Sequence, residues 1–179
     1  MIRTTFALVA LVATVALGAC TAADDAPDLT MNTRTVLVTR HAEKDALSAD
    51  PSLSPIGKQR AQALARLDDA QSVTTIITTQ YKRTIETAQP LAEELGIKPR
   101  VVNASANPKD LQDLASDILT SAEKGTVLVV GHSNTVPMII RALGGPDGLF
   151  LAEDSYGDLF ILSIDEAGGV FVHRTRYGD

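Results

Sequence analysis

The sequence is short of cysteine, of aromatic residues and of surplus positive charge. Its 179 residues hold one cysteine, no tryptophan and 4% aromatics. A single cysteine excludes an internal disulfide and a cysteine-based zinc cluster. Sixteen Lys and Arg stand against 22 Asp and Glu, a formal net charge of −6. That balance argues against nucleic acid as a partner, since such binding needs a basic face. It leaves room for an anionic ligand, because a small basic pocket can sit inside an acidic protein. No internal repeat appears, and no dense group of ligating residues suggests a metal. What is present suffices for one compact domain with a hydrophobic core.

The N-terminal segment reads as a separate object. Met1 to Arg3 is short and basic, and residues 4–17 are apolar and small. That run is shorter than the ~20 apolar residues a membrane-spanning helix needs. A basic start, a short apolar run and small residues before a cut site describe a secretory signal. Leu17-Gly18-Ala19-Cys20 also resembles the bacterial lipobox, in which cleavage before the cysteine leaves it N-terminal and lipid-modified. Residues 1–20 are therefore expected to be a lipoprotein signal peptide with Cys20 as the lipidation site; a core helix with an incidental cysteine is the competing reading. The resemblance implies an exported protein held at a membrane by its N-terminal lipid. Thr21 after the cysteine implies the periplasmic face of the outer membrane if the host is Gram-negative. Residues 21–33 are small, polar and acidic, with Pro27, and read as a flexible tether. The folded domain is expected over 34–179.

Within that domain, β-rich runs at 35–39, 73–78, 100–102 and 126–130 alternate with helical patterns. Ser54 followed by Pro55 suits an N-cap and a first helical turn. Ile56, Ala63, Leu64 and Leu67 share a helical spacing. Residues 81–95 read as a helix stopped by Gly96, with a kink or break at Pro90. Further helices are expected over 108–124 and 134–143. Strands at 158–164 and 170–175 flank Asp165-Glu166-Ala167-Gly168-Gly169, a hairpin signal. The alternation predicts an α/β three-layer sandwich with a mostly parallel sheet and an antiparallel edge.

In such folds ligands collect beyond the carboxyl ends of the strands. Two expected strands end in histidine, as Thr39-Arg40-His41 and Val130-Gly131-His132, and a third leads to Arg83. This set suits phosphoryl transfer. A neutral imidazole nitrogen can attack phosphorus, and guanidinium groups stabilise the charge on the equatorial oxygens. Lys44, Ser133 and Asn134 stand close enough in sequence to bind substrate, although Ser133 and Asn134 also suit helix capping. Tyr156 and Asp158 precede a strand and are placed to rim the pocket. Arg60 reads as a solvated helix face and His173 as an edge-strand surface residue.

At these residues the chain resembles the histidine phosphatase superfamily, or phosphoglycerate mutase-like family. The likeness rests on Arg40-His41-Ala42; on Leu53-Ser54, Gly57 and Arg60-Ala61; on Thr79, Arg83-Thr84 and Thr87-Ala88; and on Gly131-His132-Ser133. It covers roughly residues 35 to 164, and the four motifs in order are specific where each alone is weak. The resemblance implies a phosphoglycerate mutase-like fold and a short, lipoprotein-anchored phosphatase branch. His41 would be the phosphorylated nucleophile, and Arg40, Arg83 and His132 would bind the phosphoryl oxygens. No metal or other cofactor is implied. Phosphoesters or phosphoproteins outside the cytoplasm would be hydrolysed through a phosphohistidine. The alternatives are a phosphate-ligand binding lipoprotein without turnover and a phosphoglycerate mutase-type isomerase; the chain lacks the Asn that mutases carry after the first motif. The family's proton donor, a Glu or Asp just past the third strand, is missing from Val101-Val102-Asn103-Ala104-Ser105-Ala106-Asn107. Asp110, Asp113, Glu43 and Asp50 are the candidates to replace it.

Overall fold

The computed structural model of the chain describes residues 33–45, 48–121 and 125–178. The expected signal peptide, Cys20 and all but the last residue of the expected tether lie outside these residues. The described chain runs β1 (Arg34–Arg40), α1 (Pro55–Ala65), α2 (Asp68–Gln71), β2 (Val73–Thr79), α3 (Lys82–Leu95), β3 (Arg100–Val102), α4 (Pro108–Thr120), β4 (Thr126–Gly131), α5 (Thr135–Ala142), β5 (Asp158–Ile164) and β6 (Val170–Arg176).

The six strands form one sheet in the order β3-β2-β4-β1-β5-β6. The first four are parallel, and β5 and β6 return antiparallel. Strand side chains alternate between two cores, as the pleat requires. Val36, Val38, Val127 and Val129 face α4 and α5, through Leu111, Ile118, Val136 and Ile140. Leu37, Ile76, Leu128 and Val130 face α1 and α3, through Leu64, Ala88 and Leu91. The buried runs in β1 and β4 follow from helices covering both faces. The three-layer sandwich and its antiparallel edge are as the sequence predicts.

Two local expectations fail. Helix α3 continues through Pro90 without a break, with Thr84, Thr87, Ala88, Leu91 and Ala92 buried on both sides of it. Ile56 is 61% exposed and lies off the buried face of α1, which is made by Gly57, Ala61, Leu64 and Ala65. The short helix α2 was not expected.

Parallel pairing sets the carboxyl ends of β1, β4 and β2 side by side. Arg40 is in register with Gly131, and Thr78 with Val130. Since β5 runs the other way, its first residues reach the same edge, with Leu159 opposite Thr39. One rim therefore collects residues from four parts of the chain.

Candidate active site

A cavity of about 370 Å³ opens at that rim. Arg40, His41, Lys44, Arg83, His132, Ser133 and Asn134 all line it, so the folded chain brings together the residues expected to be catalytic or to bind substrate, while Tyr156, also expected at the rim, does not line it. Tyr81 and Glu153 line it too.

His41 follows directly on β1. Its backbone N–H donates to the carbonyl of Gly131 at 3.0 Å, which stitches the ends of β1 and β4 together. The ring is buried, with 3% of the residue exposed. Nδ1 lies 2.8 Å from the Ala42 carbonyl oxygen. A carbonyl only accepts, so Nδ1 carries the hydrogen and Nε2 keeps its lone pair. Burial lowers the ring's pKa to about 3 against the opposing Ala42 hydrogen bond, and the charges of Arg40, His132 and Arg83 add to the fall. A neutral imidazole with a fixed tautomer and a free Nε2 is a nucleophile at ordinary pH.

His132 follows β4, with its ring centroid 5.3 Å from that of His41. Nη2 of Arg83 stands 3.4 Å from its Nδ1. A guanidinium only donates, so Nδ1 accepts and Nε2–H donates to Thr79 Oγ1 at 3.1 Å. The chain continues from Thr79 to Thr84, whose hydroxyl can donate to the Tyr81 carbonyl at 2.8 Å. Burial, then Arg83 and Arg40, lowers the His132 pKa to about 4. The capping role expected of Ser133 and Asn134 falls elsewhere. Asn134 occupies the N-cap position of α5 without a side-chain bond, and Thr135 Oγ1 accepts the His132 N–H instead. Ser133 Oγ donates to Glu153 Oε1.

The two arginines are held by different means. Arg40 is 3% exposed, and its guanidinium carbon lies 4.1 Å from the centre of the Tyr156 ring. Its Nη1 donates to the carbonyls of Ala152 and Glu153. Arg83 stands over Tyr81 at 4.3 Å and faces Asp50 at 3.8 Å. Three buried side-chain polar atoms among the described residues lack a hydrogen-bond partner: Thr78 Oγ1, Arg40 Nε and Arg83 Nε. Two of the three thus belong to the guanidinium groups of this cavity. Buried donors without acceptors are costly, and an anion's oxygens would satisfy them.

Several side readings change. Arg60 is not a solvated face. Its Nε and Nη2 grip the Glu43 carboxylate at 2.8–3.0 Å, and its Nη1 donates to the Tyr177 carbonyl at 2.7 Å. Asp158 does not rim the cavity, being buried and paired with Arg174 and Arg176. None of the four carboxylates considered as proton donors lines the cavity. Glu43 is held by Arg60, Asp50 stands behind Arg83, and Asp110 and Asp113 line a neighbouring cavity of about 360 Å³. The carboxylate that does line it, Glu153, was missed. The signal was the antiparallel return of β5, which carries the preceding loop to the rim. No group of His, Cys, Asp and Glu able to hold a metal occurs among the described residues.

Sequence comparison points the same way over part of the chain: residues 36–104 match the family model described as the histidine phosphatase superfamily (branch 1). Among solved structures, the protein histidine phosphatase SixA complexed with tungstate is 17% identical, with a TM-score of 0.62 over 79% of this chain and 96% of that one. The mycobacterial glucosyl-3-phosphoglycerate phosphatase is 15% identical, with a TM-score of 0.60 over 82% of this chain and 99% of that one. The phosphoserine phosphatase of Entamoeba histolytica, in complex with 3-phosphoglyceric acid, gives 15%, 0.58, 82% and 97%. No curated protein sequence matches the chain.

Proposed function

We propose that the protein is a metal-independent phosphohydrolase that works through a phosphohistidine at His41 on small phosphoesters or phosphoproteins. The observation that carries this reading is the His41 tautomer. Nδ1 is tied to the Ala42 carbonyl, and Nε2 is left facing a cavity that Arg40 and Arg83 also line. Attack by Nε2 on phosphorus forms the P–N bond and expels the leaving group. Arg40, Arg83 and His132 take up the charge on the equatorial oxygens, as a divalent cation does in other phosphoryl transfers. Water then breaks the P–N bond and restores the neutral imidazole. Lys44, Ser133 and Asn134 are assigned to the substrate at the cavity wall. The solved relatives named above act on or bind phosphorylated groups by their own descriptions, which supports a phosphorylated substrate here.

We further assign residues 1–20 as a lipoprotein signal and Cys20 as the lipidated residue. The setting would then be the exported face of a membrane, and the periplasmic face of the outer membrane in a Gram-negative host. The basic start, the apolar run and the lipobox-like Leu17-Gly18-Ala19-Cys20 support this.

The test is hydrolysis of 4-nitrophenyl phosphate by the full chain in the presence of EDTA, with an acid-labile, base-stable phosphate trapped on the protein during turnover. His41→Ala is expected to abolish both signals, a loss of at least ~1,000-fold in rate. Turnover that survives His41→Ala, or that stops with EDTA, would overturn the reading.

A further inference from the structure

The site has a nucleophile and an anion cradle, but it lacks a proton donor where the family supplies one. We infer that Glu153, in the loop between α5 and β5, is the general acid that protonates the leaving group. This rests on the phosphohydrolase reading above. Its ground is the position of one carboxylate. Among the carboxylates of the described residues, Glu153 alone lines the cavity that holds His41.

Both carboxylate oxygens are engaged inside that cavity. Oε1 accepts from Ser133 Oγ at 2.7 Å, and Oε2 stands 3.4 Å from Arg40 Nη2. The backbone beneath is fixed, because Arg40 Nη1 holds the carbonyls of Ala152 and Glu153. Above this anchor the side chain is 86% exposed. Glu153 is thus an exposed carboxylate on a pinned stem, lying against two groups that a phosphoryl oxygen would use.

An incoming phosphate dianion competes for Arg40 and Ser133 and displaces the carboxylate. Substrate binding therefore frees Glu153, which acts in its carboxylic acid form. As His41 Nε2 forms its bond to phosphorus, the bond from phosphorus to the leaving oxygen breaks. The Glu153 proton passes to that oxygen, which departs as an alcohol, and a carboxylate remains. In the second step a water oxygen attacks the phosphohistidine and gives its proton to the carboxylate. The P–N bond breaks, its electron pair returns to Nε2, and orthophosphate and the acid form of Glu153 result. Protons and electrons balance over the cycle. The surface position of the loop also lets the acid reach leaving groups of different size.

The experiment compares the full chain with Glu153→Gln and Glu153→Asp on monoesters from 2,4-dinitrophenyl phosphate to an alkyl phosphate. Glu153→Gln is expected to lower kcat on the alkyl ester about 100-fold, within the range for a general acid. The loss should shrink steadily as the leaving group improves. The fall of kcat at high pH should disappear in Glu153→Gln and persist in Glu153→Asp, which should recover part of the rate on the alkyl ester. An equal loss across the series would overturn the inference, since that is the mark of lost phosphate binding. A gain in kcat/KM on every ester would also overturn it, since Glu153 would then act only as a competitor for the cradle. These failures differ from failure of the phosphohydrolase reading itself, in which the unaltered chain turns over no ester and His41 takes up no phosphate.

Discussion

At the scale of single residues, the site depends on two imidazoles kept neutral for different purposes. In the proposed mechanism His41 must be neutral to attack, and its pKa of about 3 keeps it so across the working range. His132 is neutral in the free protein, with a pKa of about 4, and its Nδ1 then offers only a lone pair to the cavity side. To donate to a phosphoryl oxygen it must gain a proton. A bound dianion favours that proton, so the bound-state pKa rises above the free value and the complex holds more protons than the free protein. Affinity for a dianion should therefore increase as pH falls through the bound-state pKa and level off below about pH 4. Sulfate is a suitable probe because it stays doubly charged over this range. Calorimetry of sulfate binding near pH 6, in buffers of different ionisation enthalpy, should register uptake of up to one proton per ion. The affinity should rise by at most about tenfold per pH unit. His132→Asn should remove the uptake and flatten the profile.

At the scale of elements, the segment after His41 is clamped by α1, and the motif residues there gain physical meaning. Ser54 caps α1 by accepting the Gly57 N–H at 3.1 Å. Leu53 and Ala61 close over Ala42. Gly57 meets the backbone of Glu43 so closely that a Cβ would stand 2.1 Å from its carbonyl oxygen and 3.0 Å from its carbonyl carbon. Gly57→Ala must therefore push the chain just past the nucleophile. A destabilisation of about 1–3 kcal/mol is expected, as for overpacking elsewhere, with a fall in phosphatase rate larger than unfolding accounts for. Arg60→Ala should lower the same rate by releasing Glu43 from the other side. Thermal unfolding alongside steady-state kinetics checks both. The spacing of these residues was legible in the sequence, as were the strand-end placements of His41 and His132. The partner of Arg60 was not, because Glu43 precedes its helix in a loop whose path no periodicity describes. Glu153 escaped notice for a related reason. Its place at the rim depends on β5 pairing antiparallel to β1, a long-range fact that a hydrophobic run alone does not carry. Pro90 does not break α3, because tertiary packing of its buried face outweighs the local cost of a proline.

At the scale of the whole molecule, the sheet sets where a membrane would lie relative to the site. Strand β1 begins at Arg34, and His41 stands just past its carboxyl end. A strand rises about 3.3 Å per residue, so the seven residues of β1 separate the two by roughly 23 Å. A lipid on Cys20 would therefore hold the protein by the end of the sheet opposite the cavity. No helix of the described residues is long and apolar enough to cross a membrane. Expressed in a Gram-negative bacterium, the chain should take up labelled fatty acid and sediment with membranes. Cys20→Ser should lose the label and shift most of the protein to the soluble fraction. If the proposed anchor holds the chain at the amino end of β1, away from the cavity, the kcat/KM of the two forms on a small phosphoester should agree within about twofold, a difference of under 0.5 kcal/mol. A much slower anchored form would mean that the bilayer covers the rim, and that the chain does not approach the membrane from the amino end of β1.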